Sequence, residues 1–276
     1  MNLGSEGPVT TGDIVRGIEN ALQAQDVFTV HEGEKFVIAG KEGAAAKITS
    51  EVRQLPETLR RRPPGNSVGT AAASNSSKPT EEMLPAGTIN FFQTDLDQVL
   101  RIFQELCSRT LIRPETLPSP SITLQTSTPL TRAEALFAFN AVFAVNDISI
   151  VQAGEKFLIV VPTFETNRVA GLLARRSPAI VQAGKDPLPA GTLNFRAIPV
   201  RSLMPIFQEL RGQPVEMEAG LPDARLTFVN QTPLTYGEAL RGIDLLLGLQ
   251  DLAVVEQQDG KSLKLVRLKQ TTSEKH

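Results

Sequence analysis

Apolar residues along this chain fall into short alternating runs and helical stripes, and the same series comes round more than once. The clearest marker is Pro129-Leu130-Thr131-Arg132-Ala133-Glu134-Ala135-Leu136. It returns as Pro233-Leu234-Thr235-Tyr236-Gly237-Glu238-Ala239-Leu240 and, in a third form, as Pro8-Val9-Thr10-Thr11-Gly12-Asp13-Ile14-Val15. Each form predicts the start of a helix. Thr10, Thr131 and Thr235 suit the N-cap, and Asp13, Glu134 and Glu238, three places on, suit the return bond to the cap's own N–H. The proline two places before each threonine keeps the chain extended until the helix begins.

Around these markers the pattern predicts one partial and two complete units. Residues 1–40 read as the back half of a unit: Ile14, Val15, Ile18 and Leu22 at helical spacing, then strands at Val27–Val30 and Lys35–Ala39. Residues 41–83 carry a Gly, Ala, Ser, Asn and Thr run after Pro63-Pro64-Gly65, the composition of a flexible linker. Arg60-Arg61-Arg62 at its edge reads as a solvated charge run. Residues 84–162 form a complete unit: a strand at Thr88–Phe92, then a helix with Leu96, Val99, Leu100, Phe103, Leu106 and Cys107 on one face and Thr94 and Asp97 as a capping pair. A proline-broken stretch, a strand at Ile122–Thr126, the marker helix and a hairpin, Ile148–Val151 and Phe157–Val161, complete it. Residues 163–187 form a connector with a helix expected at Thr166–Arg176. Residues 188–268 repeat the complete unit, and 269–276 read as a disordered tail. Thr192 follows Thr88 by 104 positions, and Pro233 follows Pro129 by the same 104. Pro205 falls where a helix interior is expected; a start capped by Ser202 would place it harmlessly in the first turn.

Each complete unit thus reads strand, helix, strand, helix, strand, strand. The expected class is α+β: tandem small domains, each with two helices packed on one face of a short sheet, plus an incomplete copy. The long linker predicts beads on a string rather than a stacked solenoid.

Composition narrows the function. Lys and Arg total 28 against 30 acidic residues, a formal net charge of −2, which argues against a general nucleic-acid surface. Cys107 is the sole cysteine, and its place on an apolar stripe reads as a small buried hydrophobe. No apolar run is long enough for a membrane-spanning helix. Met1 to Pro8 is polar and glycine-rich, so the chain is expected either to start after a secretory signal or never to have had one.

Chemistry-bearing constellations are scarce. The two histidines, His31 in an expected hairpin turn and His276 at the last residue, leave no base beside a nucleophile. One cysteine and two distant histidines do not make a zinc site, and no phosphate-binding glycine loop is present. Capping explains Glu134, Glu238 and Asp97. No catalytic, cofactor-binding or metal-binding residue is expected, and no cofactor.

The opening N-F-x-x-x-x-[LV]-x-x-[VL]-[LM], seen as Asn90-Phe91 through Leu96, Val99 and Leu100, leads through a proline-broken stretch and an apolar strand to P-L-T-x-x-E-A-L and a hairpin around Gly154-Glu155-Lys156. This order resembles the periplasmic N-domains of bacterial secretins, the outer-membrane ring proteins of type II secretion and type IV pilus systems. It also resembles the short secretin and TonB N-terminal domain. The resemblance covers 1–40, 84–162 and 188–268; the membrane-inserting β-domain of secretins has no counterpart here. It implies a non-enzymatic assembly module, periplasmic and associated with the outer membrane. The implied partners are other copies of itself, secretin subunits and inner-membrane components of the same machine, with no nucleic acid and no direct membrane span. Two other classes remain open: a stand-alone periplasmic peptide- or protein-binding adaptor that adds a strand to a sheet edge, and a small α+β nucleic-acid-binding module.

Overall fold

The three capping signals close as hydrogen bonds. In the computed structural model, which describes residues 10–32, 34–43, 83–175, 186–258 and 262–268, each cap threonine accepts from the N–H three places on at 3.2 Å. Asp13, Glu134 and Glu238 accept from the cap N–H in return at 3.1, 2.7 and 2.8 Å. The N-terminal segment consists of α1 (Thr11–Gln23) and an antiparallel hairpin, β1 (Val27–Glu32) and β2 (Phe36–Lys41). The first complete copy runs β3 (Met83–Leu84), β4 (Asn90–Asp95), α2 (Leu96–Cys107), β5 (Thr110–Ile112), β6 (Ser121–Gln125), β7 (Leu130–Thr131), α3 (Arg132–Val145), β8 (Ile148–Ala153) and β9 (Phe157–Pro162). A single 3-10 turn leads to α4 (Thr166–Ala174), inside the expected connector helix. The second copy follows as β10 (Asn194–Pro199), α5 (Val200–Arg211), β11 (Val215–Met217), β12 (Arg225–Val229), α6 (Tyr236–Leu249), β13 (Leu252–Glu256) and β14 (Leu263–Arg267). The class is α+β, as the sequence pattern requires.

The longer strands of each copy divide between two small sheets, and in the first copy the two-residue strands β3 and β7 pair as a third. In the second copy β10 pairs with β12, while β11 runs parallel to β14, which is antiparallel to β13. The first copy repeats this as β4 with β6, and β5–β9–β8. The sequence pattern does not announce β5 and β11. Each is three residues long and wedged between a helix and a proline-broken stretch, too short to show an alternation.

Repeated details have repeated causes. The Leu-Pro-Ala-Gly segments are turns in which Gly87 and Gly191 take positive φ, 77° and 78°, open to glycine without steric penalty. Their N–H groups bond the carbonyls of Thr126 and Asn230 at 2.8 Å, just past the ends of β6 and β12. The register of both two-stranded sheets slips at a bulge, where Gln93 and Ala197 take φ of 48° and 49°. Their N–H groups donate to Thr123 and Thr227 Oγ1.

Pro205 corrects one expectation. Helix α5 begins at Val200 with Pro199 as its N-cap, so Pro205 lies in the helix interior. An interior proline costs about 3 kcal/mol. Against that, Val200, Leu203, Met204 and Phe207 are all buried, and side chains of this kind contribute about 1.5–3 kcal/mol each. Burial wins, and it needs the helix to start at 200.

By internal contacts the chain divides into two compact units, and neither is a single sequence copy. The described part of the first holds residues 10–32, 34–43, 83–95 and 120–148; that of the second holds 96–119, 149–175, 186–258 and 262–268. Within the second unit one hydrophobic cluster contains Ile112, Phe157, Ile159 and Val161 of the first copy together with Phe228, Leu240 and Ile243 of the second. Within the second unit the two complete copies therefore share one core. Strand β9 is buried at all six positions, and one of its two faces belongs to the following copy. The matching face of β14, aligned through the parallel pairs Leu111–Leu158 and Val215–Leu263, carries Ser262, Lys264 and Val266. Residues 44–82 of the expected 41–83 linker, with Arg60-Arg61-Arg62, and the 269–276 tail lie outside the described residues.

Candidate interaction surfaces at the copy junctions

The same joint is built twice: the closing hairpin of one copy reaches the marker helix of the next. In the first unit Lys35, at the turn between β1 and β2, donates to the Pro129 carbonyl at 3.3 Å and to Glu134 at 3.0 Å. Phe36 stacks in a tilted arrangement on Phe137 of α3, centroids 5.1 Å apart. Ile38 packs with Ala141, Ala144 and Val145. An apolar groove of about 530 Å³ runs alongside, lined by Ile38, Leu124, Ala141 and Val145 among others.

In the second unit Lys156 takes the place of Lys35 and donates to the Pro233 carbonyl at 3.4 Å. Phe157 lies against the Phe228 ring, centroids 6.2 Å apart. Gly242 of α6 lets both rings in: a Cβ there would stand 2.9 Å from Phe228 and 3.0 Å from Phe157. Helix α4 adds a second layer, with Leu172 seated over Gly248.

Two arginines then clamp helix ends reciprocally. Arg168 of α4 donates to the Gly248 and Leu249 carbonyls of α6 at 3.1 and 3.0 Å and to Asp251 at 2.8 Å. Arg241 of α6 donates to the Leu173 and Arg175 carbonyls of α4 at 2.9 Å each. A cation at a helix C-terminus satisfies free carbonyls and complements the helix dipole. Main-chain bonds add to the joint: Gln231 N–H donates to Thr110 Oγ1 at 3.1 Å, and Gln104 donates to the Val229 carbonyl at 3.4 Å.

The residues weighed for chemistry have structural places. Cys107 is buried in α2. His31 sits in β1 rather than in a turn, with Nε2 2.6 Å from Glu19 Oε1. Asp97 holds the Arg113 guanidinium through both carboxylate oxygens, and that pairing lowers its pKa below the usual aspartate value. The hydrogen bond from Thr10 does the same for Asp13. Burial pushes Glu134 upward, but hydrogen bonds from Lys35 and Thr131 and the Lys35 charge outweigh it, and the net shift is downward. Among the described residues no group of three His, Cys, Asp or Glu side chains could hold a metal ion, and no helix is long and apolar enough to cross a membrane.

Sequence reasoning missed the joint, although a signal for it was present. Phe157-Leu158-Ile159-Val160-Val161 is a continuous apolar run, the mark of a strand buried on both faces. Its counterpart Leu263-Lys264-Leu265-Val266 alternates through its first three positions. No protein-family model and no curated protein sequence matches the chain.

Proposed function

We propose that this protein is a non-enzymatic assembly module of a bacterial envelope secretion or pilus machine, periplasmic in location, working through domain-to-domain docking with secretin subunits or copies of itself. The observation that carries the reading is the repeated joint. Both hairpins that are followed by another copy dock on its marker helix, through Lys35 with Phe36 and through Lys156 with Phe157. A domain whose faces are built to meet another domain of its own kind is suited to assembly, and side-by-side packing by one heterologous contact closes into a ring when the rotation allows. The motif order shared with secretin N-domains supplies the envelope setting.

The test is to fractionate the envelope of the native organism, cross-link it and identify what this protein is bound to. Recovery in a large outer-membrane complex with secretin or pilus components is expected. Recovery as a soluble cytoplasmic monomer, or with RNA, overturns the reading.

A further inference from the structure

Three arginines stand round one cleft of the second unit, and none of them belongs to the repeat. Arg101 of α2, Arg113 just past β5 and Arg196 of β10 line a hollow of about 360 Å³ where the first complete copy meets the second. Their counterparts 104 positions away are Pro205, Met217 and Phe92, all uncharged. Gln104 and Glu105, on the same helix as Arg101, recur as Gln208 and Glu209. A residue the frame needs comes round with the frame. These three charges do not, so the packing shared by the copies does not account for them.

The positive charge is only partly answered. Asp97 holds Arg113 through both carboxylate oxygens. Arg101 and Arg196 are exposed and, among the described residues, form no ion pair; Arg196 reaches the neutral Asn194 Oδ1 at 3.4 Å. Glu105 also lines the cleft, which sets three positive charges against two negative ones. Leu100, Leu111 and Val229 supply an apolar wall, the first buried and the other two half-buried. Beside them Thr227 Oγ1 accepts from Ala197 N–H at 3.0 Å, which leaves its O–H to donate.

We propose that this cleft binds a small monocarboxylate, whose head is taken by Arg101 and Arg196 and whose hydrocarbon stem lies on Leu100, Leu111 and Val229. The guanidinium fork matches a planar carboxylate, and the volume is that of a small-ligand site. Charge selects the class. A surplus of one positive charge suits one negative charge, whereas a phosphate group carries about −1.5 to −2 near neutral pH and would meet Asp97 and Glu105 as well. Arg175 and Leu268, after which the described chain breaks off, line a separate cleft with Arg241, so the segments that follow them leave from another site. The inference stands apart from the envelope reading.

The experiment titrates the full chain with sodium hexanoate at fixed ionic strength and follows the amide NMR shifts of Leu111, Thr227 and Val229, with hexanol and inorganic phosphate as comparison probes. Saturable shifts with hexanoate are expected, at an affinity about tenfold or more above that of either comparison probe. Arg101→Gln and Arg196→Gln, both at exposed positions, are each expected to weaken hexanoate binding roughly tenfold, and Arg201→Gln, outside the cleft, to leave it unchanged. No saturable shift overturns the proposal, as does unchanged affinity in either cleft variant. Hexanol binding as tightly as hexanoate overturns the arginine role, and phosphate binding as tightly overturns the ligand class. Amide exchange over 44–82 or 269–276 that accelerates in Arg196→Gln without any ligand also overturns it, by showing a carboxylate of the chain itself as the occupant.

Discussion

Phe157→Ala puts the shared core to a quantitative test. Phe157 lies in β9, within the first copy by sequence, yet its ring packs with Phe228 and fills the space over Gly242 in the second. The side chain is 3% exposed. Withdrawing about 150 Å² of aromatic surface at about 25 cal/mol/Å² loses about 4 kcal/mol, and the central range for a buried Phe→Ala change is about 3–5 kcal/mol. Phe228, Gly242 and Leu240 belong to the second copy, so the loss should be felt there. Amide exchange of β12 and α6 is expected to accelerate together with that of β9. Denaturant unfolding of the second unit should shift as one transition. Phe164→Ala, at an 82% exposed position, is the control and should change stability by under about 0.5 kcal/mol. If β12 and α6 keep their protection while β9 loses its own, the two copies are energetically separate and the joint is only a contact.

Three further outcomes follow from the same geometry. Gly242→Ala places a methyl 2.9 Å from one buried ring and 3.0 Å from another; the strain, about 1–3 kcal/mol, exceeds the helical gain of about 1 kcal/mol, so denaturation should show a net loss that shrinks in the Phe157→Ala background. Ala197→Gly relieves an exposed residue held at φ 49° and should raise the free energy of unfolding by about 0.5–1 kcal/mol, with no gain counting against the bulge geometry. Glu134 has a pKa below its ordinary 4.5, so its contribution is present above that value and is lost as pH falls through the lower folded value. Because Lys35 and Glu134 are 35% and 30% exposed, that contribution is about 0.5–1 kcal/mol; the stability gap between the native chain and Glu134→Gln should close below pH 4.5, and a gap independent of pH would remove the Lys35–Glu134 link from the joint.

What the sequence makes legible is local. A threonine followed three places later by a carboxylate fixes a cap within four residues, and the α1, α3 and α6 starts were readable to the residue. Leu-Pro-Ala-Gly is a turn because glycine alone enters positive φ freely, and its recurrence gave the repeat frame. The misses all depend on distant partners. Strand β11 exists because β14 offers an edge some fifty positions away. Pro205 is tolerated because the α5 stripe finds a core. Phe157 reads as the interior of its own copy, and only the fold assigns that side of β9 to its neighbour. Buried Asn230 is a further case. It accepts from Leu193 N–H at 2.9 Å and donates to the Pro189 and Thr232 carbonyls, and nothing around it in sequence distinguishes it from a surface turn residue.

The polar outer face of β14 has a consequence for how protomers meet. A hairpin that offers Phe, Ile and Val to whatever follows would, if exposed, let any protomer's end seek any other protomer's marker helix. Such head-to-tail contacts propagate without limit unless the rotation between subunits closes them. With Ser262, Lys264 and Val266 at those positions, seating the strand as β9 is seated would bury the Lys264 ammonium group at a cost, so side-by-side packing of protomers would use a face other than this one. Lys264→Ile should restore the apolar surface and turn a well-behaved solution into one whose light scattering climbs with concentration.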